Sequence, residues 1–153
     1  MASRRDVVAM TDEEVEAYLD QQRTLNVAML GPSGHPHLVA TWYVMSAGRP
    51  VFWTFERSQR VVNIRRDARV SALVQSGGVY SELRGVEMRG TARLIEDRDE
   101  VLEIGKAVAL KYTGPAGAGA LAFLEKQAEQ RIGVRIDVDQ VVSWDHTKLD
   151  GTR

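Results

Sequence analysis

The 153-residue chain has no cysteine. That excludes disulfides, a thiolate nucleophile and any metal site built on sulfur. It also has almost no net charge: 20 Lys and Arg stand against 21 Asp and Glu, formally -1. The broad basic footprint of a general nucleic-acid binder is therefore missing. No apolar run approaches the ~20 residues that cross a bilayer. The opening MASRRDVVAM is basic, but its apolar stretch is too short for a signal peptide and runs into acids. A cytoplasmic protein without nucleic-acid or membrane partners is the expectation. No G-x-S-x-G elbow, P-loop or H-E-x-x-H element occurs, so hydrolase, NTPase and metalloprotease readings have no support. Histidine is scarce too. His35 and His37 could share a strand face, but nothing makes carboxylates converge on them, and no metal is expected.

What remains is the composition of an ordinary globular domain, 44% apolar and 27% charged. Its length suits a single domain over residues 1–153. Thr11 and Glu14 form a T-x-x-E capping box, and Val15, Tyr18 and Leu19 follow at helical spacing, so 12–22 reads as a short amphipathic helix. Extended segments at 24–30 and 35–45 flank the turn Gly31-Pro32-Ser33-Gly34, a hairpin. Further strands are expected at 50–55, 69–75, 86–94 and 131–138, the last with a possible extension through 141–144. Helices are expected at about 58–67, 97–112 and 121–130. The short connections favour antiparallel pairing, and such a sheet closes most economically as a small barrel.

Residues 54–69, TFERSQRVVNIRRDAR, are the densest in chemistry. Arg57, Arg60, Arg65, Arg66 and Arg69 face only Glu56 and Asp67. A strand that runs into a helix start rich in Ser and Arg can hold a phosphate, through outward backbone N–H groups, the helix dipole and paired guanidinium bonds. Spacing alone favours a solvated surface helix.

The order of helix, hairpin, strand ending in T-F-E-R-S and then S-Q-R-V-V-N-I-R-R-D-A-R-V-S resembles the flavin-reductase-like split β-barrel superfamily, which includes the pyridoxamine 5'-phosphate oxidases. Gly34-His35-Pro36-His37, Thr41-Trp42-Tyr43 and the closing Ser143-Trp144-Asp145-His146-x-Lys148-Leu149 extend the resemblance from about Thr11 to Leu149. Within the superfamily the chain looks most like the actinobacterial branch that uses coenzyme F420, a deazaflavin. The resemblance implies a mainly β fold with peripheral helices, a six-stranded antiparallel split β-barrel, and a homodimer with the cofactor at its interface.

Carried over position by position, the resemblance implies a phosphate clamp of Thr54, Arg57, Ser58 and Arg60, with Asn63 nearby. Arg65 and Arg66 either reach the acidic tail of the deazaflavin or are simply exposed. Pro36, Thr41 and Trp42 or Tyr43 are candidates for the ring slot; successive strand residues face opposite sides, so Trp42 and Tyr43 cannot both line it. Core packing is the competing role for Trp42. A partner subunit could contribute Tyr80 or the segment from Trp144 to Lys148, with Trp144 either packing the interface or touching the ring. Tyr80 and His146 are the candidate proton donors, although the favoured role of His146 is a structural hydrogen bond. The implied activity is an F420-dependent oxidoreductase that moves a hydride to or from a small organic substrate with an activated C=C, C=O or imine. The alternatives are an FMN-binding split-barrel flavoprotein and a non-catalytic deazaflavin or haem carrier.

Overall fold

The computed structural model describes residues 3–149. Two helices come first, α1 (Arg4–Val8) and α2 (Asp12–Gln21). The expected capping box of α2 forms in both directions, the Thr11 hydroxyl accepting from the Glu14 amide and the Glu14 carboxylate from the Thr11 amide. The same device, Ser3 with Asp6, opens α1, which the sequence reading passed over.

Seven strands follow: β1 (Leu25–Leu30), β2 (Pro36–Thr41), β3 (Val44–Ser46), β4 (Arg49–Phe55), β5 (Arg69–Ser76), β6 (Arg84–Ile95) and β7 (Arg131–Asp145). They form one antiparallel sheet in the order β2-β1-β5-β6-β7-β4-β3. Alternate residues point inward (Val27 and Met29, Phe52 and Thr54, Ala72 and Val74, Val86 and Met88, Val134 and Ile136), and the sheet curls around them.

Six strands were expected, with one strand over 35–45. That strand is two, broken at Trp42-Tyr43. Tyr43 turns its ring fully into the core and donates its hydroxyl to the Leu19 carbonyl. Its backbone N–H goes to the Tyr112 hydroxyl at 3.0 Å instead of to a neighbouring strand. At the other end, the strand expected at 131–138 runs on through 141–144, as the extension anticipated, in one continuous β7. Asp139 has no ladder partner where Gly90 pairs with Val138 and Arg89 with Gln140, so the strand bulges and carries on.

Helix α3 (Gln59–Arg66) lies between β4 and β5, while α4 (Arg98–Thr113) and α5 (Ala120–Ala128) lie between β6 and β7. Helix α4 covers the outer face of β3, β4 and β7 and builds a second core of Val51, Ile95, Val101, Ile104, Val108 and Ala128. Gly105 is needed for that approach: a Cβ there would lie 2.5 Å from the Trp53 ring. Among the described residues no helix is long and apolar enough to cross a membrane.

Candidate cofactor site

Strand β4 ends at Phe55, the chain turns through Glu56-Arg57, and Ser58 caps α3. The Ser58 amide donates to the Phe55 carbonyl (3.0 Å), and the Ser58 carbonyl accepts from the Val61 and Val62 amides. The Ser58 hydroxyl does not do what an N-cap hydroxyl ordinarily does. It makes no capping bond, and its oxygen is buried without any hydrogen-bond partner. The first-turn amides of Gln59 and Arg60 also have no acceptor among the described residues. On either side stand Arg57, exposed, and Arg60, half-buried; neither makes an ion pair or hydrogen bond with another described residue. Burial pulls the Arg60 pKa below its ordinary value. The result is a helix start with an orphaned hydroxyl, free amides and two unpaired cations, the donor set of an anion site.

The neighbouring arginines are already engaged. Arg65 pairs with Glu96 at 3.1 Å, and Arg66 donates to the Leu30 carbonyl and to Asn63. Arg69 forms a two-pronged pair with Asp67 and holds that carboxyl well down, to about 2. Asn63 is fully buried as a tie between elements. Its side-chain oxygen accepts from Gln59 (2.8 Å) and Arg66 (3.2 Å), and its amide nitrogen meets His37 Nδ1 at 2.8 Å. Arginine only donates, so this orientation of the amide is the one the contacts allow, and His37 Nδ1 is the acceptor. Thr54 is buried on the inner face with Phe52.

The remaining sequence candidates are spread out. Pro36 is exposed at the start of β2, opposite Leu30, on the α3 side. Thr41 closes the same strand and donates its hydroxyl to the Trp42 carbonyl. Trp42 is not a core residue: it is 54% exposed and stacks on Tyr112 with ring centroids 4.5 Å apart. Its indole borders a cavity between α4 and α5 rather than the clamp.

Tyr80, Trp144 and His146 sit where β5 leads into β6, at the other end of β5 from α3. Eight residues of strand separate the two ends, about 23 Å at ~3.3 Å per residue. The Tyr80 and His146 rings meet at 4.6 Å, and His146 Nδ1 lies 2.9 Å from the Tyr80 carbonyl. A carbonyl only accepts, so Nδ1 carries the hydrogen and Nε2 is the free position. Trp144 lies flat over Gly85 on the outer face; a Cβ at Gly85 would fall 2.2 Å from its ring. Among the described residues no three His, Asp or Glu side chains gather into a metal site. The sequence reading missed Trp53, Tyr112 and Arg131, which share the cavity region with Trp42 and come from segments far apart in the chain.

A family model described as pyridoxamine 5'-phosphate oxidase matches residues 11–145. Among solved structures, the conserved hypothetical protein Rv2991 of Mycobacterium tuberculosis is similar at TM-score 0.91 and 36% identity, over 97% of this chain and 93% of that one. An F420 reductase is similar at TM-score 0.64 and 19% identity, over 82% and 94%. HutZ, the haem storage protein of Vibrio cholerae, is similar at TM-score 0.67 and 14% identity, over 86% and 94%. The last two likenesses concern the fold. No curated protein matches the chain.

Proposed function

The chain belongs to the pyridoxamine 5'-phosphate oxidase family, and from that premise we propose that it is an oxidoreductase that uses coenzyme F420. The observation that carries the reading is the clamp: the buried, partnerless Ser58 hydroxyl beside the unpaired Arg57 and Arg60. A phosphate fits that donor set, supplying acceptors to the hydroxyl, the first-turn amides and both guanidinium groups. The choice of F420 rests on the sequence resemblance to the deazaflavin-using branch.

When bound, the deazaflavin supplies hydride to or from an activated C=C, C=O or imine. The chain's own residues bind the phosphate, orient the ring and exclude water. Pro36, without an N–H, offers the ring a flat apolar edge. His146 has its Nδ1–H tied to the Tyr80 carbonyl, so Nε2 is the atom that takes up a proton from solvent and passes it on beside the Tyr80 ring. Clamp and pair lie at opposite ends of β5, so the site is completed by a second chain. The outer face of β1 and β2 supports such a dimer, since it leaves Leu38 67% exposed, with Leu30 nearby.

A second reading, the same fold with FMN, is favoured by the clamp itself, which addresses a phosphate common to both cofactors. The test is titration of the purified protein with F420, FMN and haem separately, followed by fluorescence quenching and visible absorbance. F420 binding, lost by about 100-fold or more in the Arg57→Ala/Arg60→Ala double variant, is the expected outcome. Tight FMN binding without F420 binding transfers the proposal to the flavin. Unchanged F420 binding in the double variant refutes the clamp, and binding without turnover of activated enones leaves a carrier.

A further inference from the structure

We propose that the cavity between α4 and α5 is a second binding site, for a small aromatic carboxylate that lays its ring against Trp53 and its carboxylate on Arg131. The cavity holds about 390 Å³, within the ~300–1,000 Å³ usual for small-molecule pockets. Trp53 forms its floor, Val108 and Leu124 its helical walls, and Trp42 and Phe123 its rim. Trp42 and Phe123 are both more than half exposed, an unusual placement for such large apolar rings.

Among the described residues Arg131 is the only charged one lining this cavity. Its guanidinium lies 4.6 Å from the Trp53 ring centre and 4.5 Å from that of Phe55. Its Nε is buried without a hydrogen-bond partner, and no carboxylate among the described residues pairs with it. The nearby Glu56 faces Arg98 instead, at 3.8 Å. Two aromatic faces replace part of the lost hydration but none of the lost hydrogen bonds. Burial accordingly lowers the Arg131 pKa.

A carboxylate at this end of the cavity would accept from the terminal N–H groups of the guanidinium, which have no partner among the described residues, and complete the pair. One cation in an apolar lining suits a monoanion with an apolar body, and the indole floor suits a flat one. A phosphate dianion would want the several donors that converge at Ser58 and are missing here. Phe55 separates the two sites, since it pairs with Arg131 in the ladder and precedes the turn into α3. The inference does not depend on which cofactor the clamp holds.

The test is calorimetric titration of the full chain with 2-naphthoate and its neutral analogue 2-naphthamide. Naphthoate is expected to bind. Arg131→Gln should weaken it about tenfold or more while shifting naphthamide by less than about twofold, and Arg131→Lys should recover part of the loss. Ala109→Phe, which fills the cavity from α4, should abolish both. Circular dichroism and thermal melting check that each variant is folded. The assignment is overturned if wild type does not bind naphthoate, if folded Arg131→Gln or Ala109→Phe binds it as wild type does, or if F420 displaces it. Failure of F420 to bind in parallel bears on the cofactor reading alone.

Discussion

Replacing Ser58 by alanine separates a structural cap from a ligand contact, because the two roles predict opposite signs. A working N-cap serine lost to alanine costs ~0.5–2 kcal/mol, which in a domain of this size lowers Tm by about 2–4 °C per kcal/mol. Here the hydroxyl caps nothing and is buried without a partner. A buried, unsatisfied polar group is itself a cost of ~1–3 kcal/mol. Its removal from the cofactor-free protein should leave Tm unchanged or raise it by a few degrees. In the bound state the same hydroxyl donates to a charged oxygen, worth ~1.5–3 kcal/mol. Cofactor affinity should therefore fall by about 10- to 100-fold. Differential scanning fluorimetry gives the first quantity, and a fluorescence titration with F420 and with FMN gives the second. Ser58→Thr, which keeps the hydroxyl, should behave like wild type in the titration. A variant that melts several degrees lower yet binds cofactor unchanged would show that Ser58 is only a cap, and the phosphate assignment would fail with it.

Two further substitutions probe the supports of the clamp. Asn63→Ala removes the acceptor of Gln59 and Arg66 and the donor to His37; at ~1 kcal/mol per bond, Tm should drop by about 6–12 °C, and a melt within 2 °C of wild type would show that the buried tie contributes little. Asp67 has its carboxyl held down to about 2 from an ordinary 3.8, first by the hydrogen bonds from the Arg69 side chain and then by the Arg69 amide. The sign follows: a depressed carboxylate stabilises fully above its unfolded pKa and loses that contribution as pH falls towards about 2. Asp67→Asn should flatten acid unfolding across that window and leave stability at pH 7 less dependent on salt; an unchanged acid limb would refute the pair.

How much of this was legible in the chain follows from the range over which each feature is decided. The clean alternation from Val86 to Leu94 appears as the middle of β6, because a half-buried strand repeats every two residues whatever its neighbours are. The capping box of α2 is equally local. The break at Tyr43 was not legible, because it depends on Leu19 and Tyr112, which lie 24 and 69 residues away. Asn63 entered as a neighbour of the phosphate through the resemblance; its bonds to Gln59 and Arg66 are local, but the one to His37, 26 residues back, was not legible. Trp42 read as a candidate for the ring slot, with core packing as the competing role because large aromatics are usually buried. Its exposed stack on Tyr112 exists only once α4 has packed over β4, which in turn needs a glycine at position 105. Arg131 gave no signal at all, since an arginine at a strand start is ordinary until two aromatic rings flank it and its Nε is buried without a partner.

The separation of the clamp from the Tyr80–His146 pair leads to a test of the dimer that needs no structure of it. In one chain the two lie at opposite ends of β5, so a site that uses both must draw them from two chains. In an isologous dimer each site then takes its clamp from one protomer and its histidine from the other. An Arg57→Ala/Arg60→Ala chain and a His146→Ala chain should each be nearly inactive as homodimers. When the two are mixed and allowed to exchange, half the dimers are mixed. In each mixed dimer one site receives both intact parts and the other receives both defects. About one quarter of wild-type activity per site should therefore return, appearing at the rate of subunit exchange. If clamp and histidine instead served the same site from one chain, every site in the mixture would carry one defect and no activity would return. Recovery that tracks exchange, seen as differently labelled chains combine, would place His146 across the interface from Ser58; its absence would put clamp and histidine in the same chain, and a His146→Ala homodimer that keeps its activity would remove the pair from the chemistry.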